Sequence, residues 1–169
     1  YTPRTLFPYT TLFRSHHSSH FSPHPQKLTR ALQNFLALCA SGYYDASPFH
    51  RLIPGFMIQT GAPPSAPKGG SSIWAEPFED EIRPTLRHNA AGIVSMANKG
   101  PDTNASQFFI TFAPAPHLDE RNTVFGHVVG EEGMETLRRM GEVAVGKKNK
   151  PVEEIRIERV TIHANPLAG

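Results

Sequence analysis

Phe49–Gly61 reads FHRLIPGFMIQTG and Ala105–Phe112 reads ASQFFITF. In an extended strand successive side chains point to opposite faces. Phe108, Ile110 and Phe112 therefore share one side of the second stretch, while Gln107, Phe109 and Thr111 share the other. Pro54 and Gly55 break the first stretch into two strand pieces bent at that point. If the piece after the bend is regular, Met57 and Gln59 share a face opposite Phe56 and Ile58. Apolar residues thus stand beside glutamines in both stretches. A binding groove explains that pattern, and so do half-buried packing residues on a sheet face, which strand parity by itself favours.

Working outward, HNAAGIVSMAN (88–98) and TVFGHVV (123–129) each contain a further short apolar strand, and GPDTN (100–104) supplies turn chemistry before ASQFFITF. EEIRIERVTIH (153–163), rich in Ile and Val with interleaved charge, reads as a last strand with one face in the core. Two segments have helical period instead. Leu28, Leu32, Phe35, Leu36 and Cys39 recur at spacings of three and four, with Gly42 as the stop. EEGMETLRRMGEV (131–143) places acids before Met134 and Leu137, and Arg138 and Arg139 before Gly141, an order the helix dipole favours. Gly61–Ser72 is a long Gly/Pro/Ser loop. Many strands and two helices predict a mainly β fold, a capped barrel or a sandwich.

A chain of 169 residues suits one domain that buries a core without staples. The formal charge of +2 comes from interleaved Lys, Arg, Asp and Glu, so no nucleic-acid surface is indicated. Cys39 is the single cysteine, which excludes an intrachain disulfide and suits a reducing compartment. No stretch has the length of a membrane span, and Pro8 interrupts the one candidate for a signal sequence. There is no GxSxG elbow, phosphate loop, metal-ligand spacing or cysteine with an evident base, so covalent and metal chemistry are unsupported and no cofactor is expected. The Asn104-Ala105-Ser106 pattern abuts an apolar strand and lacks a secretory context, so glycosylation there is not expected.

Residues 1–27 read differently from the rest. The chain starts at Tyr1 rather than Met, and Thr5–Ser15, TLFPYTTLFRS, is the translation of a DNA string that resembles a sequencing-library adapter. The expectation is an incomplete or misassembled transcript. HHSSHFSPHPQ (16–26) has too little apolar content to bury anything, and His16, His17, His20 and His24 have no acidic or thiol partners at a rigid spacing that would make them a metal site. The expected organisation is an unrelated, artefactual or disordered segment over 1–27 and a single domain over 28–169.

Three long strings in order, FHRLIPGFMIQTG (49–61), SMANKGPDTNASQFFIT (95–111) and HLDERNTVFGHV (117–128), resemble the signature segments of the cyclophilins. The resemblance runs from NFLALCASGYYD (34–45) to TIHANP (161–166), and SIW (72–74) and FEDE (78–81) make it similar to small single-domain cyclophilins associated with the spliceosome. It implies a closed antiparallel eight-stranded barrel capped by two helices, here lacking its first two strands. It also implies peptidyl-prolyl cis-trans isomerase activity at a groove on the barrel's outer face. By motif match Arg51 is the catalytic arginine, Phe56, Met57 and Phe109 form the proline pocket, and Gln59 and Gln107 bracket it. Ala97 and Asn98 offer backbone groups, and His117 and Leu118 border the pocket, with Leu118 closing one wall. His117 stands where tryptophan is frequent, which implies weak cyclosporin binding; Asn122, Ala62, Ser65 and Pro67 are further departures, bearing on sequence preference. Implied partners are proline-containing peptides and proteins, with spliceosomal proteins among them, for a monomer of the nucleus and cytoplasm that needs neither nucleic acid nor membrane and is not secreted. Three readings follow: an isomerase assisting folding or spliceosome remodelling, a proline-binding module, or a chain that as written does not fold stably.

Overall fold

The computed structural model describes residues 29–66 and 69–162, together with the backbone of 13–15. Six strands form one antiparallel sheet: β1 (Phe13–Ser15), β2 (Arg51–Ile53), β3 (Met57–Thr60), β4 (Ile93–Met96), β5 (Phe108–Thr111) and β6 (Val124–Val128), in the order β1-β6-β4-β5-β3-β2. Two helices accompany them, α1 (Arg30–Ala40) and α2 (Gly130–Gly141).

Thr29 opens α1, its hydroxyl accepting from the Leu32 N–H at 3.3 Å. The first turn of α1 contains no acid of its own. Glu81 supplies one from a distant loop, its carboxylate accepting from the N–H groups of Arg30 (3.0 Å) and Ala31 (2.9 Å). At the other end Gly42, at φ +71°, allows the Tyr43 N–H to reach the Leu38 carbonyl and the Gly42 N–H that of Cys39, a Schellman close. Ala31, Leu32, Phe35, Leu38 and Cys39 form the buried stripe, while Leu36, expected within it, is half-buried at its margin. Leu28 lies outside the described residues. The Phe35 ring meets Phe108 edge-on at 5.3 Å and Phe125 at 5.1 Å, so α1 covers the inner face of β5 and β6. Asn34, fully buried, pins the same helix by donating to the Ala105 carbonyl and accepting from the Ile73 N–H. The expected helix over 131–143 is α2, with Glu131 and Glu132 in its first turn and Arg138 and Arg139 in its last.

The closed eight-stranded barrel does not form among the described residues. The sheet runs from β1 to β2 with no ladder joining those edges. Nor do residues 153–162, the described part of the expected strand over 153–163, form a strand. The segment makes one bridge, Pro48 to Arg156, flanked by the Phe49 N–H on the Ile155 carbonyl and the Ile157 N–H on the Ser47 carbonyl. The next donor of that ladder, the Ser47 N–H, is spent on the Tyr44 carbonyl at 3.0 Å. The segment's apolar face is nonetheless covered: Ile155 is 2% exposed, and Ile157, Val160 and Ile162 pack partly buried against the core. At the opposite edge β1, inside the adapter-like segment where no strand was anticipated, pairs with β6 through Phe13↔Val128, Arg14↔His127 and Ser15↔Gly126. Backbone pairing is largely indifferent to side-chain identity, so an open edge accepts an extended segment of almost any sequence.

Candidate functional site

Ladder register brings the singled-out residues into one row. Arg51 on β2 pairs with Gln59 on β3, Gln59 with Phe109 on β5, and Phe109 with Ser95 on β4. Directly paired residues share a face, so these four lie side by side, with Met57 and Thr111 forming the adjoining pair. Ile58, Phe108 and Ile110 point the other way into the core. The parity reading therefore holds for Met57, Ile58 and Gln59 and for Phe108, Phe109, Ile110 and Thr111. Met57 and Phe109 are nevertheless only 4% and 5% exposed, so they form a packed floor rather than a bare patch. Ser95 escaped the sequence reading; its buried hydroxyl has no hydrogen-bond partner among the described residues.

Phe56 does not follow strand parity. Pro54 and Gly55 occupy the centre of a turn closed by the Phe56 N–H on the Ile53 carbonyl at 3.0 Å, with Gly55 at φ +70°. That is the type II arrangement, with proline second and glycine third. The turn frees Phe56 from the alternation, and its half-buried ring stands 5.1 Å from the ring of His117, centre to centre. His117 itself is exposed on the 3-10 turn Pro116–Leu118, and Leu118 is half-buried.

A directional relay sets the polar side of the row. Gln107 Nε2 donates to the Gly69 carbonyl at 2.6 Å, which leaves Gln107 Oε1 to accept from Gln59 Nε2 at 2.8 Å. Gln59 Oε1 consequently faces Arg51 Nη1, at 3.5 Å. One backbone carbonyl thus orients two amides and presents an oxygen to an exposed guanidinium. Gly70 makes the loop's approach possible: it sits at φ +115°, and a Cβ there would collide with the Ser106 hydroxyl. His50 flanks the relay. Burial holds its imidazole below the ordinary histidine value, aided by the Arg51 charge and opposed by hydrogen bonds with Pro48 and Gln107.

On the far side, Asn98 Nδ2 donates to the Arg121 carbonyl at 2.8 Å and Asn122 Nδ2 to the Met96 carbonyl at 3.0 Å, tying the segment after β4 to the one before β6. The Ala97 N–H is engaged by the Gln107 carbonyl at 3.0 Å. Ala62 is fully buried and Ser65 exposed, while Pro67 lies outside the described residues. His88, also missed in the sequence because it belongs to no periodic element, stacks on Phe109 with centroids 6.0 Å apart and planes 15° apart. Its N–H and Nδ1 both lie within 2.9 Å of Asp119 Oδ1. Burial lowers the imidazole's affinity for protons despite Asp119, and His88 hydrogen bonds hold the Asp119 carboxyl below its usual value. The pair is therefore a neutral Nδ1–H donating to a carboxylate. No group of three or more metal-ligating side chains occurs among the described residues.

The arrangement offers an apolar floor, an aromatic rim and one oriented cation. The family described as "Cyclophilin type peptidyl-prolyl cis-trans isomerase/CLD" matches residues 21–162. Peptidyl-prolyl cis-trans isomerase-like 3 of Gibberella zeae is 62% identical over 164 residues, covering 94% of this chain and 98% of that one. The Homo sapiens protein of the same name is 51% identical over 144 residues, covering 85% and 88%. A crystal structure of a Cryptosporidium parvum cyclophilin type peptidyl-prolyl cis-trans isomerase in the presence of the dipeptide Ala-Pro superposes with a TM-score of 0.75 at 46% identity, covering 80% of this chain and 86% of that one. The chain belongs to the cyclophilin-type peptidyl-prolyl cis-trans isomerase family.

Proposed function

We propose that this groove accelerates rotation about X-Pro peptide bonds in protein substrates, with Arg51 as the catalytic group. The observation that carries the reading is the row Arg51–Gln59–Phe109, in which a guanidinium oriented by an amide relay lies beside an apolar floor. Rotation about the amide breaks no covalent bond; it requires loss of resonance, against a barrier of roughly 18–20 kcal/mol. The proline ring sits on Phe109 and Met57 between Phe56 and Leu118, with His117 at the rim, which places the prolyl nitrogen toward Arg51. As the amide twists, that nitrogen regains its lone pair and the guanidinium stabilises it. Arg51 is exposed in the free chain, so the interaction strengthens when a substrate covers it and excludes water. A guanidinium also remains charged at any physiological pH. Because the Ala97 N–H is engaged, the substrate backbone meets the Ala97 carbonyl and Asn98, while Gln107 borders the chain beside Gln59.

The Ala-Pro dipeptide present with the Cryptosporidium parvum relative supports a proline-containing ligand here. The finer reading is a monomer that assists folding or remodels spliceosomal assemblies in the nucleus and cytoplasm. Its cyclosporin binding is weak because His117 lacks an indole donor, which a cyclosporin titration tests. Isomerisation of a proline tetrapeptide, measured for the wild-type chain and for Arg51→Ala, tests the enzyme reading. Turnover that falls by a hundredfold or more in the variant supports it, and equal turnover in both refutes it. A folded chain that binds the peptide without turning it over is a binding module instead.

A further inference from the structure

We propose that His88 is a positioning residue, which holds the Pro116–Leu118 wall turn against the pocket floor through its Nδ1–H bond to Asp119. This rests on the isomerase reading of the groove. His88 lies in a stretch with no regular secondary structure, yet it is fully buried. Its backbone and ring bracket the turn on both sides. The His88 carbonyl accepts from the Ala115 N–H at 2.7 Å, immediately before the turn. Immediately after it, Asp119 Oδ1 accepts from the His88 N–H at 2.8 Å and lies 2.9 Å from Nδ1. The turn carries His117 and Leu118, and the His88 ring meanwhile stacks on Phe109. One residue is therefore joined to both the floor and the wall.

The other ring nitrogen gives the argument its direction. His88 Nε2 is buried with no hydrogen-bond partner among the described residues. An unpaired buried polar atom costs stability, and a phenylalanine would fill the same space without it. Packing alone thus gives no reason for an imidazole here. The Nδ1–H bond to Asp119 does, because it ties down a turn whose displacement by about 1 Å is enough to weaken a well-oriented site by about a hundredfold.

Two variants separate positioning from filling. His88→Phe keeps the ring and loses the donor; His88→Asn loses the ring but places an amide donor near the former Nδ1. If His88 positions the wall, Phe weakens binding of the tetrapeptide Ala-Ala-Pro-Phe about tenfold and raises KM with it, whereas Asn restores affinity to within about threefold of wild type. A residue that only fills space gives the opposite order, with Phe mild and Asn severe, and that order overturns the proposal. Asp119→Ala provides a second route should His88→Phe fail to fold. It removes the acceptor of both the His88 N–H and the Nδ1–H, from a side chain 18% exposed, and is expected to lose at least tenfold; unchanged affinity refutes the proposal. Affinity is read by NMR titration alongside turnover. A wild-type chain that binds without turnover therefore sinks the isomerase reading while the affinity order still decides the role of His88.

Discussion

Replacing Gln107 by Leu removes the middle of the relay between the loop and the arginine. Within the relay Gln107 makes two side-chain hydrogen bonds, to the Gly69 carbonyl at 2.6 Å and from Gln59 Nε2 at 2.8 Å. Each neutral bond of this kind is worth about 1 kcal/mol net. The second bond matters for turnover, because it determines which end of the Gln59 amide meets the guanidinium. The contact from Gln59 Oε1 to Arg51, at 3.5 Å, is too long to enforce that orientation by itself. Without Gln107 the two amide orientations become nearly equal in energy, and half of the molecules present an NH2 group to a cation. Adding the freedom restored to Arg51, the loss of transition-state stabilisation is about 1–1.4 kcal/mol, or about five- to tenfold in kcat/KM. Gln107→Glu keeps an acceptor for Gln59 but turns a carboxylate oxygen toward the Gly69 carbonyl, which loosens the loop while the Gln59 amide stays oriented, so it is expected to lose about threefold. The assay is coupled isomerisation of a proline tetrapeptide. The relay reasoning fails if Gln107→Leu is silent, if it is as damaging as Arg51→Ala, or if Glu is worse than Leu.

Glu81→Ala removes the carboxylate that caps α1 through two backbone N–H groups and is expected to cost about 1–2 kcal/mol, lowering the thermal midpoint by about 2–8 °C with activity retained below it. Calorimetry checks this, and an unchanged midpoint would show the cap to be replaceable by water. Acid sensitivity follows from His88 and His50, both held below the ordinary value of 6.5 chiefly by burial. The unfolded chain then binds more protons than the folded one, so stability rises with pH across this window. Their contribution is complete above pH 6.5 and is lost as pH falls from there through the folded-state values, with Asp119 adding a loss of the same sign below its ordinary 3.8. Urea denaturation from pH 8 to pH 5 reads it, and His88→Asn is expected to flatten the slope.

Strand parity was legible because the alternation in ASQFFITF and FMIQTG is enforced by the ladder itself: Ile58 pairs with Ile110 on the core side and Gln59 with Phe109 on the other. Where regular pairing stops, so does legibility. Phe56 reached the site through a turn that cancels its parity, and Leu36 lies at the margin of a stripe whose centre is set by contacts with Phe108 and Phe125. His88, Asp119 and Gly69 lie outside the strands and helices that periodicity can detect, and their roles arise from contacts across 31 and 38 positions of sequence. The segment over 153–163 has the composition of a strand but lacks a full partner, since the Ser47 N–H that would continue the ladder is taken by the Tyr44 carbonyl. Strand composition reports a suitable face, whereas a ladder also needs two willing edges. Barrel closure depends on those edges and was for that reason invisible in local pattern.

The central claim is that an oriented guanidinium, rather than a nucleophile or a metal, carries the rotation. The most direct test is the isomerisation rate of the full 169-residue chain compared with that of Arg51→Ala, each confirmed folded by NMR. The account predicts measurable catalysis by the wild type, reduced at least a hundredfold in the variant while the peptide still binds. Full activity in Arg51→Ala, or a folded wild type that binds proline peptides and catalyses nothing, would contradict it.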